Sequence, residues 1–335
     1  MADYLGDVLD QPRAVAATVD GLVATGVLDR IRALPRGVPL VLTGMGSSFA
    51  ALYGLHLRLL AAGRTAALIE AGELVHYAAD GLTPEAVLVV ASQSGETVEV
   101  ARLFDRIGRQ TVVGITNHAA STLGRRADLL LPLAAGDEGI VATKTYVATL
   151  AAAALLGAAL TAASEPGPGA IRAAAEGLRG LLARREELTT ALVGALGDRP
   201  GQLFLIGRGP SYGSALAGAL LLKEASHTAA EPLSGGAFRH GPLEMVSAET
   251  SALVFAPAGR TGDLARRLAA DIAAYGGRVA VVGPGGATFP TGDVDEWLAP
   301  LVEIAAPQLL AAAIARARGH TPGRFQRMGK VTTEE

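Results

Sequence analysis

Leu40-Val41-Leu42-Thr43-Gly44-Met45-Gly46-Ser47-Ser48 is an apolar run that stops at a glycine turn, and a helical pattern from Phe49 to Ala62 follows at once. The same rhythm returns at Leu203-Phe204-Leu205-Ile206-Gly207-Arg208-Gly209-Pro210-Ser211. Outward from the first copy lie four more short apolar runs: Thr65 to Ile69, Ala86 to Ala91, Thr111 to Ile115 and Leu129 to Leu133. Helical patterns separate them, including a short one near Gly72 to Ala79 and one opened by Ser92 that runs to about Gly108. Strands that alternate with helices at this spacing predict βαβ units and a parallel sheet buried on both faces. Ala91 to Thr97 lines up with Phe255 to Thr261, and Val112 to Thr116 with Val279 to Gly283. Two copies of one α/β unit are therefore expected. The expected divisions are a helical segment 1–34, a first domain 35–165, a linking helix 166–197, a second domain 198–320 and a tail 321–335. The break Ser164-Glu165-Pro166-Gly167-Pro168-Gly169 reads as a hinge between helices.

The 335 residues amount to roughly two average domains. Half are hydrophobic and 18% are charged, the composition of a chain with ample core material. The net charge of -3 and the lack of a basic helix pair give no nucleic-acid footprint. There is no cysteine, so disulfides, cysteine-held metals and thiol nucleophiles are all excluded within this sequence. Met1-Ala2-Asp3-Tyr4 has an acid where a secretory leader needs basic residues, so a cytoplasmic protein is expected. Thr145 to Ser164 carries no charge, but it is mostly Ala and Thr, and a buried helix is expected there instead of a membrane span. That segment and the Ala-rich stretch 305–317 offer apolar faces to a second copy of the chain.

Chemistry is concentrated in a few places. Ser92-Gln93-Ser94-Gly95-Glu96-Thr97 lies between a strand and a helix. A helix start presents N–H groups and the positive end of the dipole, and hydroxyls beside it can donate to phosphate oxygens. No lysine follows the turn, which favours a phosphate monoester over a nucleoside triphosphate. Ser47 and Ser48 end the preceding strand-to-helix turn and, in an open parallel sheet, face the same crevice. The second copy has Ala256, Pro257 and Ala258 at the equivalent place and should not hold an anion there. It carries instead Glu224 and His240, a carboxylate and an imidazole suited to moving protons near neutral pH.

Together, Ser92 to Thr97, Lys223-Glu224, His240-Gly241-Pro242 and the ending Gly329-Lys330-Val331-Thr332 resemble the sugar isomerase (SIS) family. Within that family they are similar to the isomerase half of the glucosamine-6-phosphate synthases. Leu9-Asp10-Gln11-Pro12 looks like the segment that follows the glutaminase domain there. The resemblance implies an α/β fold of two flavodoxin-like three-layer αβα SIS domains with parallel five-stranded sheets. It implies that Ser47, Ser48, Ser92, Gln93, Ser94 and Thr97 hold a sugar phosphate, with Ala142 at a further ligand-facing position. It implies that Glu224 moves a proton between C1 and C2, that His240 arrives from the neighbouring subunit of a homodimer to help open the ring, and that Lys330 closes over the sugar and can form an imine with its carbonyl. Four departures stand out. The sequence shows no glutaminase domain and no cysteine, so hydrolysis of glutamine is not expected; Leu221 replaces a lysine near the reacting carbons, Ala142 replaces a hydroxyl, and Gly235-Gly236-Ala237 lacks a glutamate. The expected activity is isomerisation or deamination of a hexose or hexosamine 6-phosphate, or ammonia-dependent aminotransfer, without metal or other cofactor. A sugar-phosphate sensor is the alternative. The expected partner is a small sugar phosphate, with no nucleic acid and no membrane.

Overall fold

The computed structural model describes residues 3–163, 165–327 and 329–332, so Met1, Ala2, the Ser164 of the expected hinge, Met328 and the last three residues lie outside it. Among the described residues, ten strands form two separate sheets: β1 (Leu40–Gly44), β2 (Ala66–Glu70), β3 (Val87–Ala91), β4 (Thr111–Thr116) and β5 (Leu129–Pro132), then β6 (Gln202–Gly207), β7 (Glu231–Ser234), β8 (Thr250–Phe255), β9 (Arg278–Gly283) and β10 (Phe289–Pro290). The chain divides into two compact units with interleaved bounds. The first holds Arg13–Glu138, Ala142–Arg172 and Arg327–Glu335; the second holds Met1–Pro12, Gly139–Val141 and Ala173–Gln326. The stretch expected as one linking helix is two, Pro168–Ala183 and Arg185–Leu196.

In the first unit the order is β2-β1-β3-β4-β5, and every pairing is parallel, with Leu40 opposite both Ala66 and Val87. Every residue of β1 and β3 is buried, as a sheet covered on both faces requires. One face packs Val41, Leu88 and Val90 against Leu74, Val100, Leu103 and Phe104. The uncharged segment forms the helix Lys144–Thr161, buried along nearly its whole length and packed on Gly46–Ala61. A Cβ at Gly157 would stand 3.1 Å from Arg58 Cδ and Leu55 Cδ1, so glycine lets these helices approach closely. Lys144–Thr161 and Ala299–Ala317 are long and apolar enough to cross a membrane, and both are mostly buried within protein. The short helix expected near Gly72 to Ala79 is present as one helical stretch whose winding changes along it: α over Ala71–Glu73, π over Leu74–Ala78 and 3₁₀ over Ala79–Gly81.

In the second unit the order is β10-β9-β8-β6-β7, the first sheet's order with each strand replaced by its repeat, and all pairings are again parallel. Leu205, Leu253, Phe255 and Val282 pack on one face with Leu222 and Leu309, while Phe204, Ile206 and Val254 pack on the other with Phe238, Leu268 and Ile272. The opening helix Tyr4–Leu9 belongs to this unit. Tyr4 Oη donates to the Gln308 carbonyl at 3.1 Å, and the Gln11 and Gln308 side-chain amides pair at 2.9 Å in both directions. The expected repeat is therefore present strand for strand.

Candidate functional site

In the first unit the sheet reverses direction of growth between β1 and β3, and ligands of open parallel sheets sit beyond the carboxyl ends of the strands at such a point. Gly44 pairs with Ala91, so the turns that follow the two strands emerge side by side. A Cβ on Gly44 would stand 2.8 Å from the Ala91 carbonyl, which is why glycine ends β1. The structure thus brings Ser47 and Ser48, at the start of helix Gly46–Ala61, beside Ser92 to Thr97.

Ser92 to Thr97 is a loop, and its helix begins only at Val98 and ends at Arg106. Ser92 Oγ accepts from Gly95 N at 3.1 Å and Ser94 Oγ from Glu96 N at 3.2 Å. These bonds use the acceptor side of each hydroxyl, leaving its proton to be donated to a ligand. The Gln93 carbonyl accepts from Asn117 N and Thr116 Oγ1, and Gln93 Nε2 lies 3.3 Å from His118 Nε2. Gly95 has φ +65, and a Cβ there would meet Ser121 Oγ at 2.1 Å. Glu96 points away into a structural role, accepting from Thr122 N and Oγ1 at 2.6 and 2.8 Å, and these bonds hold its carboxyl below the usual range. Thr97 Oγ1 is buried without a hydrogen-bond partner, and so is Thr43 Oγ1 on β1. A buried hydroxyl left unpaired costs roughly 1–3 kcal/mol and calls for a partner.

The tail reaches this loop. The Thr332 carbonyl accepts from Val98 N at 3.2 Å, at the helix start, and Lys330 Nζ donates to the Glu138 carbonyl at 2.5 Å. Sequence reasoning missed Glu138. Its carboxylate is buried and accepts from Thr143 N, Thr143 Oγ1, Thr145 N and Thr145 Oγ1 at 2.7 to 3.2 Å, capping helix Lys144–Thr161. The detectable signal was an acid five and seven residues ahead of two threonines that open an apolar helix. Ala142, half-buried, stands directly before this capped start.

In the second unit Glu224 lies in the last turn of helix Ser211–Ser226 and is half-buried. Burial pushes its carboxyl up to about 7, and the same carboxylate helps to raise the buried Tyr4 phenol. A carboxyl titrating near neutrality can both take and return a proton. Lys223, next to it, is pushed down by burial. Leu221 is core, 4% exposed, so no amine projects from that position. His240 ends helix Gly235–Arg239 and is exposed in the single chain. Glu303 was also missed: it is 1% exposed, accepts from Ser211 Oγ at 2.9 Å and Ser214 Oγ at 2.7 Å, and burial pushes it to about 7.

Among known proteins, the chain is 32% identical over 355 residues to glutamine–fructose-6-phosphate aminotransferase (isomerizing) from Pyrococcus horikoshii, and 32% identical over 361 residues to that of Aeropyrum pernix. Each match takes in 99% of this chain and 57% of the relative, so the chain spans little more than half the length of these relatives. In structure it resembles the C-terminal domain of glucosamine-fructose-6-phosphate aminotransferase from Francisella tularensis, with a TM-score of 0.84 at 20% identity over 97% of this chain and 99% of that one. It also resembles glucosamine-6-phosphate deaminase from Thermotoga maritima, with a TM-score of 0.83 at 21% identity over 99% of both chains. At these identities the likeness is one of fold. The SIS domain family matches residues 39–159 and 198–282, one stretch for each sheet, and the chain belongs to that family.

Proposed function

We propose that this protein is a sugar-phosphate enzyme that moves a proton between C1 and C2 of a hexose or hexosamine 6-phosphate, with isomerisation or deamination as the outcome. The observation that carries the reading is the unpartnered Thr97 hydroxyl, set among the Ser92 and Ser94 hydroxyls at the start of helix Val98–Arg106. A phosphate monoester supplies the acceptors this cluster lacks, and Ser47, Ser48 and Gln93 stand around it. Glu224 is the proton carrier, because burial brings its carboxyl to about 7. Lys330 is the amine for the sugar carbonyl, and His240 assists ring opening, contributed by a second copy of the chain. With a sugar bearing an amine at C2, proton transfer from C2 to C1 passes through an enolamine to the C2 imine, and water adding at C2 then releases ammonia and leaves the ketose. The names of the relatives, aminotransferase and deaminase, support an amino-sugar phosphate as the substrate.

The test is proton NMR in D₂O with glucosamine 6-phosphate, fructose 6-phosphate and glucose 6-phosphate, each with and without ammonium. Deuterium entering at C1 or C2, lost in Glu224→Gln while phosphate-ester binding persists, is the expected result. Binding without exchange for any of the three would make the protein a sensor. Shared sites have a further signature: mixing inactive Glu224→Gln and His240→Ala chains restores part of the activity if His240 crosses between copies.

A further inference from the structure

The second unit holds an open surface pocket of about 490 Å³ whose lining side chains, His227, His320, Thr321, Arg324, Phe325 and Gln326, include no carboxylate; all are exposed but the half-buried Phe325. The His227 and His320 rings stand 5.0 Å apart between centroids, tilted by 53°. Each belongs to the end of a helix: His227 follows Ser211–Ser226, and His320 lies just beyond Ala305–Ala317. His227 adopts φ +51, the left-handed region that glycine normally supplies at such an end, so a side chain is kept here at a cost of about 1 kcal/mol. The surrounding backbone is pinned. Arg318 Nη1 donates to the His227 carbonyl at 3.1 Å, Gly323 N to the Ala225 carbonyl at 3.2 Å, His320 N to the Ala315 carbonyl at 2.8 Å and Arg324 N to the Thr321 carbonyl at 3.2 Å. Backbone carbonyls at the two helix ends are therefore engaged within the protein, and each polar group of the lining can donate: two imidazoles, a hydroxyl and an amide, which can also accept, and the donor-only guanidinium of Arg324.

We propose that the cavity formed by His227, His320 and Arg324 binds a phosphoryl group, as a site separate from the Ser92–Thr97 loop. A tetrahedral dianion matches donors arriving from three residues, and a guanidinium pairs with two phosphate oxygens at once. The volume exceeds that of a bare ion and accommodates an esterified sugar against Phe325. Occupancy would join the end of the helix that carries Glu224 to the segment leading into the tail.

The experiment is NMR of the full chain labelled with nitrogen-15 at histidine, with resonances assigned through His227→Gln and His320→Gln. It is titrated at fixed pH and ionic strength with inorganic phosphate, with glucose 6-phosphate, with chloride and with zinc. Saturable shifts of both imidazoles are expected with inorganic phosphate, with the ester or with both, at one dissociation constant. Arg324→Ala should weaken binding at least tenfold, and Ser94→Ala should leave it within twofold. Response to the ester alone assigns the site to esterified phosphate; response to both assigns it to the phosphoryl group itself. If Arg324→Ala does not fold, His320→Gln read at the His227 resonance gives the same comparison. Shifts that chloride reproduces, that appear only with zinc, that survive Arg324→Ala, or that never saturate would overturn the proposal.

Discussion

Glu224 and Glu303 are two carboxyls pushed to about 7 by burial, and they leave different traces. Glu224 must be ionised to accept a proton, so exchange at C1–C2 should fall as pH drops below about 7, with a limb that Glu224→Gln removes along with at least a hundredfold of the rate. Glu303 accepts hydrogen bonds from Ser211 and Ser214 in the protein interior and should show itself in stability. Its folded value lies above the unfolded value of about 4.5, so the folded state binds the proton more tightly than the unfolded one. The stabilisation is therefore complete below pH 4.5, declines as pH rises through about 7 and is flat above that. The amplitude is on the order of 3 kcal/mol for a shift of this size, and Glu224 adds a slope of the same sign. Urea unfolding midpoints measured from pH 4 to 8 should show that decline, and Glu303→Gln should flatten roughly half of it. A midpoint profile unchanged by Glu303→Gln would mean that the serine hydroxyls hold the carboxyl ionised throughout.

At the scale of elements, the Ser92–Thr97 loop and the cap of helix Lys144–Thr161 are two places where a single atom controls a backbone. Alanine at Gly95 would have to give up φ +65 or drive its Cβ into Ser121, since 2.1 Å to Oγ leaves no room. Gly95→Ala should therefore cost on the order of 2 kcal/mol in unfolding free energy and weaken hexose 6-phosphate binding more than Ser94→Ala, which removes one hydroxyl and leaves the turn intact. Isothermal titration beside urea unfolding separates the two effects. Glu138→Ala should cost about 3 kcal/mol, because it strands the Thr143 and Thr145 amides in a buried helix start, and Glu138→Gln should recover only part of this. The place of the loop was legible in the sequence, since hydroxyls and glycine between an apolar run and a helical pattern mark a strand-to-helix turn. Glu138 had a local signal in the two threonines that follow it, whereas Glu303 had none, because it meets Ser211 and Ser214 on another helix across a long stretch of chain. The short helix near Gly72 to Ala79 was legible from its apolar spacing, but its π and 3₁₀ winding was not, because Leu74 and Val75 pack into the core of the first sheet.

At the scale of the whole chain, two copies share one strand order yet end in different chemistry. The repeat was readable because strand order follows from matched apolar runs. The interleaving of the units was not, because the helix Tyr4–Leu9 joins the second unit through Tyr4, Gln11 and Gln308, contacts that span nearly the entire sequence. The tail is the opposite case: its described contacts are few and local to the first unit, Lys330 to the Glu138 carbonyl and Val98 N to the Thr332 carbonyl. Both bonds are single and each is worth about 1 kcal/mol, little beside the buried sheet and helices that hold the unit. A chain ending at Gln326 should thus unfold within about 1–2 kcal/mol of the full chain. Its affinity for hexose 6-phosphate should stay within a few-fold, because Ser92, Ser94 and Thr97 remain and the Thr332 carbonyl no longer occupies the helix start. Deuterium exchange at C1–C2 should nevertheless fall at least tenfold, through loss of the Lys330 amine from the carbonyl carbon. Lys330→Met in the full chain is the control that distinguishes the amine from the rest of the tail. An equal fall in both variants assigns the effect to Nζ, whereas full exchange in the truncated chain would leave Lys330 no part in the chemistry.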